Sequence, residues 1–369
     1  MQYRQYGGTG LSVSALGLGA MRLPKDEDLA VECMRHYLDL GGNLIDTARG
    51  YGESERLVGQ AIAGRRDQVV LSTKNAALAP LRWKPGYVFT PDLWQQAMDT
   101  SFATLGVDHL DLYHVHDLTW DQYTDYFVKP GGPLDMVRPR LDDGSVRHLV
   151  FSCHDTPENI IKLIDEGVFA GMLVQYNLLD RKNEDAIAYA HQKGLGVNTM
   201  GPVGGGRLSC PSERLTAPIP GVQTVPEIAL RFVLSNPNIA SALSGMNSLE
   251  MVDENFASAS REEPLTPEEY ELVLSTLAEC EKLLESYCTG CNYCLPCPQG
   301  VAIPEIFSAY NYHEVWGLTE LARKSYQGLG AGETIRDASV CVECGECEGK
   351  CPQHLSITEQ IHAIHDLLS

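Results

Sequence analysis

Between about residues 14 and 260, eight short apolar, β-rich runs alternate with amphipathic stretches, and that repetition leaves few folds open. The runs are Ser14–Leu18, Asn43–Thr47, Val69–Thr73, Leu110–Val115, His148–Ser152, Met172–Tyr176, Gly196–Met200 and Ile239–Ser244. Between the first two, Ala30, Cys33, Met34, Tyr37 and Leu38 fall on one face at helical spacing. Thr90-Pro91-Asp92 and Thr156-Pro157-Glu158 each set an N-cap residue before a proline suited to the first helical turn. Eight strand–helix units in succession predict an α/β chain folded as a (β/α)8 TIM barrel, whose chemistry lies at the C-terminal ends of its strands. An open doubly wound sheet would want Gly-x-Gly-x-x-Gly leading from its first strand into a helix. Gly17-Leu18-Gly19 is present, but no helix signal follows it at once.

Eight of the twelve cysteines lie beyond this region in two tight runs. The first is Cys288, Cys291, Cys294 and Cys297, two residues apart, and ends in Pro298. The second is Cys341, Cys344, Cys347 and Cys351, with three residues before Cys351 and Pro352 after it. In the second spacing, three thiolates from one loop hold a [4Fe–4S] cube and the fourth reaches the cube of the other run. The first run departs from it, having two residues rather than three before its last cysteine. Structural zinc usually takes two Cys pairs separated by a longer stretch. Disulfide frameworks belong to small secreted domains. Two [4Fe–4S] clusters are therefore expected. Cys33, Cys153, Cys210 and Cys280 stand alone and read as small buried hydrophobes.

Between the two runs, Phe307, Tyr310, Val315, Leu318 and Leu321 give a helical pattern, so the cluster module is expected to be all-helical. Thr266-Pro267-Glu268-Glu269 is a capping box that opens a helix linking the two parts. The expected division is a barrel over 1–262 and a linker helix with the cluster domain over 263–369. A formal charge of −21 repels phosphate backbones and anionic lipid, so neither nucleic acid nor membrane is an expected partner. Leu11 to Met21 reads as a hairpin leading into the first strand rather than a leader, and a cytoplasmic location is expected.

The ends of the second, third and fourth runs carry Asp46-Thr47-Ala48-Arg49-Gly50-Tyr51-Gly52, Ser72-Thr73-Lys74 and Asp111-Leu112-Tyr113-His114-Val115-His116. In this order and together they resemble the aldo-keto reductase family. The cysteine module resembles the ferredoxin-type extension of that family's iron–sulfur branch. The resemblance implies an NAD(P)H-dependent oxidoreductase that reduces a small carbonyl, or oxidises the alcohol, by hydride transfer. It implies Tyr51 as general acid, Lys74 as the ammonium that favours loss of its proton, Asp46 as the anchor of Lys74, and His116 as the donor that orients the carbonyl. His114 and His116 share a facing, being two apart on a strand. The family pattern has an apolar residue three after the leucine and the histidine five after the aspartate, which selects His116, and His114 reads as a barrel-interior histidine satisfied by a neighbour. A His-x-His metal site would want a third ligand.

The resemblance also implies a bound NADP(H) or NAD(H) dinucleotide. Ser152 and Gln175 would hold its carboxamide, with Cys153 standing where the family usually has Asn. Met200, Gly201, Pro202, Gly204 and Gly206 would form a turn against it, and Gly245, Met246, Asn247, Glu254 and Asn255 would grip its pyrophosphate and adenosine. No basic residue lies between Gly245 and Asn255, so the choice between the two nicotinamides stays open. Trp120, Tyr123, Tyr126 and Phe127 line either a substrate pocket or a helix face, and Arg49 either an anion site or a salt bridge. The clusters serve an external one-electron carrier or brace the C-terminal domain. The alternative is an electron-transfer or redox-sensing partner protein whose barrel is a scaffold.

Overall fold

The computed structural model describes every residue except 83, 286–287, 289–290, 330–335 and 353, with backbone only for 281 and 283–285. An antiparallel hairpin comes first, β1 (Tyr3–Gln5) and β2 (Ser12–Ser14). Eight parallel strands follow: β3 (Leu16–Gly19), β4 (Leu44–Asp46), β5 (Val70–Asn75), β6 (Leu110–Val115), β7 (Val146–Cys153), β8 (Gly171–Gln175), β9 (Gly196–Met200) and β10 (Ser241–Ser244). They close into one barrel in the order β10-β3-β4-β5-β6-β7-β8-β9. Each expected run overlaps one of these eight strands, although Ser14, the start of the first run, belongs to β2.

Helices occupy the connections because each has an apolar stripe to bury. The helix Glu27–Asp39 buries Ala30, Cys33, Met34 and Tyr37. Thr156 Oγ1 accepts from Asn159 N and caps the helix Pro157–Asp165. Thr90 makes no such side-chain bond; Pro91 alone marks that start. Tyr123 and Phe127 are buried, with Phe127 packed on Trp94 and Phe169. These two rings are core rather than pocket lining.

The N-terminal mouth of the barrel is closed from within its own chain. Tyr6, in the hairpin turn, is fully buried among Leu44, Val70, Leu112, Val150 and Leu173. Space for its ring exists because β8 and β9 begin with glycine. A Cβ on Gly196 would sit 2.3 Å from the Tyr6 ring, and one on Gly171 would sit 2.3 Å from its hydroxyl oxygen.

The chain divides into two compact units, Met1–Gly204 with Ala229–Pro264, and Gly205–Ile228 with Leu265–Ser369. This moves the sequence-based boundary by two residues and differs from it in one longer segment, because residues 205–228 are fastened to the C-terminal part by backbone acceptors. Ser212 Oγ donates to Trp316 O at 2.7 Å, and the Arg214 guanidinium donates to Glu314 O and Val315 O at 2.6 and 2.5 Å. In that unit the capping box forms as expected: Glu269 N donates to Thr266 Oγ1, Thr266 N to Glu269 Oε2, and the helix runs Pro267–Glu285. Helices Ile303–Glu314, Thr319–Gln327 and Ile357–Leu368 enclose a core that includes Ile306, Phe307, Tyr326 and Ile361. Among the described residues no helix is long and apolar enough to cross a membrane.

Gly196→Ala is expected to destabilise the barrel by about 1–3 kcal/mol through overpacking against Tyr6. The urea midpoint measures it, and an unchanged midpoint would mean that the Tyr6 ring does not fill the mouth.

Candidate active site

Four side chains meet where β4, β5 and β6 end. Asp46 closes β4 and Lys74 lies near the end of β5; they are 4% and 1% exposed and form a direct ion pair through Asp46 Oδ2. Lys74 Nζ also donates to Thr47 O at 2.8 Å. Burial alone would lower the Lys74 pKa. The charges of Asp46 and Tyr51, with hydrogen bonds to both, outweigh it and hold the ammonium above its ordinary value.

Tyr51 is delivered by a loop stitched to β5. Thr47 N donates to Ser72 O at 2.9 Å and Arg49 N to Lys74 O at 3.1 Å, so the parallel ladder continues past the strand end. The turn Tyr51 N to Ala48 O and the left-handed Gly52 (φ 58°) then set the phenol over the barrel mouth. Lys74 Nζ lies 5.1 Å from the Tyr51 ring centroid. His116 meets Tyr51 edge-on at 5.6 Å between ring centroids. Burial, then Lys74 and then His154 push the His116 pKa down to about 3, so its ring is neutral and can donate only one proton.

Beneath this group lies a second tier. Ser72 Oγ donates to Asp46 Oδ1 at 2.7 Å, and His114 Nε2 lies 3.0 Å from Ser72 Oγ. The sequence reading placed His114 in the barrel interior and gave Ser72 no role. Only the register, which sets Lys74 beside His114 and Asp46 beside Ser72, brings them together. Arg49 pairs with the fully buried Glu55 at 2.8 Å, and Thr73 Oγ1 binds the other Glu55 oxygen. Arg49 is thus engaged in a salt bridge.

Ser152, at the end of β7, accepts from Asp117 N at 2.9 Å through its Oγ. That bond pins the left-handed Asp117 (φ 53°) directly after His116 and leaves the hydroxyl proton of Ser152 to donate elsewhere. Gln175 and Met200 are register partners at the ends of β8 and β9. The Gln175 amide lies against Gly201 so closely that a Cβ there would be 2.9 Å from its nitrogen and oxygen. Gly201 has φ 62°, Asn177 Nδ2 donates to its carbonyl, and Pro202 beside it is buried. Gly204, Gly205 and Gly206 follow with φ 58°, 66° and 94°; the last two belong to the second unit.

After β10, Gly245 and the buried Met246 precede the exposed Asn247. Asn255 Nδ2 donates to Ser244 Oγ at 3.2 Å, whereas Glu254 is exposed. The fold adds a cation here that the sequence reading did not find. Arg22, from the turn after β3, has its Cβ 3.8 Å from where a Gly245 Cβ would stand.

In the second unit the two cysteine runs interleave. Cys288, Cys291, Cys294 and Cys351 line one cavity. Cys297, Cys341, Cys344 and Cys347 line another, with Cys294 between the two. Asn292 and Gly345, each directly after a second cysteine, are left-handed at φ 66° and 74° and turn their loops tightly. Burial and neighbouring thiols, first Cys288, push the Cys294 thiol up to about 11. A bound cation would reverse that order of costs, as the chemistry of a thiolate-held metal requires.

Comparison with known proteins agrees with this geometry. The aldo/keto reductase family profile matches residues 15–221, and that of a 4Fe-4S dicluster domain matches 287–355. The chain belongs to the aldo/keto reductase family and carries a 4Fe-4S dicluster domain. It is an oxidoreductase by family. An uncharacterized oxidoreductase of Bacillus subtilis is 27% identical over 307 residues, 74% of this chain and 96% of the relative. An L-galactose dehydrogenase of Arabidopsis thaliana is 28% identical over 333 residues, 77% and 95% of the two chains. An aldo-keto reductase from Bacillus halodurans in its holo form superposes with a TM-score of 0.65 at 28% identity, covering 75% and 96%. An aldo/keto reductase from Klebsiella pneumoniae, in complex with NADP and acetate, does so with 0.60 at 26%, covering 74% and 94%.

Asp46→Leu leaves Lys74 buried without its partner and is expected to cost about 3–5 kcal/mol. Adding Lys74→Met should restore most of it. Denaturant unfolding of both variants checks the pair, and equal stability of the single and double variants would contradict it.

Proposed function

We propose that this protein is a nicotinamide-dependent reductase of a small carbonyl compound, working in reverse as an alcohol dehydrogenase. The observation that carries this reading is the convergence of Asp46, Tyr51, Lys74 and His116 at the C-terminal end of a closed barrel. A bound NADP(H) or NAD(H) would supply or accept the hydride. The residues fit such a group. The Gln175 amide beside Gly201, the spare proton of Ser152, and the small Gly19 and Gly245 leave room and donors for a flat carboxamide and a phosphate chain. In the Klebsiella relative an NADP is bound. Arg22 is the cation from which a nucleotide phosphate would gain in this chain.

The proton half of the reaction belongs to the protein. His116, neutral, donates toward the carbonyl oxygen and holds it near the Tyr51 hydroxyl. Tyr51 gives up its proton to that oxygen as negative charge develops there. The Lys74 ammonium favours the phenolate left behind, and Asp46 keeps Lys74 charged although it is buried. Tyr6 fills the end of the barrel opposite this group.

The eight cysteines would hold two [4Fe–4S] clusters, one on Cys288, Cys291, Cys294 and Cys351, the other on Cys297, Cys341, Cys344 and Cys347. The crossed lining of the two cavities supports this ligand set. Clusters of this kind pass single electrons, so an external one-electron carrier is the fitting partner. They also brace the unit, since Cys288, Cys297, Cys341, Cys347 and Cys351 pack against its core.

Tyr51→Phe is expected to lower NAD(P)H-linked turnover by roughly 10²- to 10⁴-fold with little change in nucleotide binding. Undiminished turnover would remove the acid assignment. In anaerobically purified protein, Cys297→Ala and Cys351→Ala should each remove about half of the iron, through different clusters. Iron analysis with electron paramagnetic resonance reads this, and full iron in both variants would refute the crossed ligation.

A further inference from the structure

His114 has no part in the four-residue group, yet it is wholly buried in the barrel interior. A leucine would fill that place without bringing a polar ring into the interior. His114 instead buries a polar ring whose Nδ1 makes no well-aligned hydrogen bond among the described residues and only an interaction with the Phe151 backbone, a cost that asks for a compensating role. Its Nε2 lies 3.0 Å from Ser72 Oγ and 3.9 Å from Asp46 Oδ1.

The direction of that contact follows from proton counting. An ionised carboxylate only accepts, so the single Ser72 hydroxyl proton is committed to Asp46 Oδ1. Ser72 Oγ must then accept, and His114 must present Nε2–H. The ring stays neutral: burial first, then Lys74 and His116, hold His114 well below the ordinary histidine value. The result is a fixed chain from His114 to Ser72 to one Asp46 oxygen, while the other Asp46 oxygen holds Lys74. Tyr51, Asp46, His114 and His116 are the titratable groups that face Lys74 from the elements around it.

We propose that His114 is a positioning residue: through Ser72 it locks the Asp46 carboxylate in the orientation that keeps buried Lys74 charged. Lys74 is held charged against a burial penalty by Asp46. A carboxylate free to turn away loses that grip, burial then prevails, and the ammonium gives up its proton at lower pH. In turnover, the alkaline limb of the pH profile moves down with it. That consequence for activity rests on the Tyr51–Lys74 reading above, whereas the effect on Lys74 charge does not.

The test uses full-length, cluster-loaded protein with labelled lysine. The Lys74 signal is assigned by its loss in Lys74→Arg and followed by NMR as pH rises. His114→Leu is expected to lower the Lys74 midpoint by at least about one pH unit, a tenfold shift in the protonation equilibrium. His114→Gln supplies an N–H at similar reach and should keep the midpoint near that of the unaltered protein. Ser72→Ala should match His114→Leu, and the double variant should shift no further. An unchanged midpoint in His114→Leu, or equal shifts in the Leu and Gln variants, would overturn the proposal. If Tyr51→Phe retains turnover while His114→Leu still moves Lys74, the acid assignment fails and the positioning role stands. If Tyr51→Phe abolishes turnover and His114→Leu leaves Lys74 unmoved, the positioning role alone fails.

Discussion

The ion pair between Lys74 and Asp46 is the constraint from which the barrel's chemistry follows. Two charges taken out of water lose several kcal/mol of hydration each, and their attraction offsets this only when the remaining hydrogen-bonding capacity is satisfied. Thr47 O takes one of the ammonium protons, and Ser72 takes the second carboxylate oxygen. The pair is thus satisfied on both sides by groups of its own strands and the loop after β4. Its stability value against an apolar pair is small by this reasoning. What it provides is a permanent positive charge beside a phenol, in a place where the nearby histidines are held neutral first by burial and then by that same charge.

The second unit answers a different physical demand. Cys294 is buried among other thiols, where its ionisation is disfavoured without a metal. Four thiols around each cavity are a poor arrangement for a folded chain with nothing bound and a good one for an iron–sulfur cube. Hydride chemistry moves electrons in pairs and clusters move them singly. A barrel of a hydride-transferring family and a 4Fe-4S dicluster domain thus share one chain, and the sequence shows no flavin-binding motif.

Much of this was legible in the sequence, for a reason that can be stated. Strand ends in a closed barrel bring their last residues together whatever the loops do. Asp46 and Lys74 were therefore marked by eight apolar runs and their endings, whereas the choice of His116 over His114 came from the family resemblance. The cysteine spacing carried the cluster module in the same way, since local loops deliver three ligands of four. What escaped depended on register or on contacts across long sequence distances. Ser72 and His114 gain their meaning from the alignment of β5 with β6. Arg22 comes to Gly245 only because β3 pairs with β10 to close the barrel. Residues 205–228 join the C-terminal unit through backbone acceptors at 314–316, which no composition shift announces.

Tyr6 and the two side-chain-free strand starts beneath it make the barrel a vessel with a stopper rather than a tube. The group formed by Asp46, Tyr51, Lys74 and His116 stands at the end of the barrel opposite that stopper. Evolution acting on the loops of the open rim can then change what enters without exposing the tyrosine and lysine from behind.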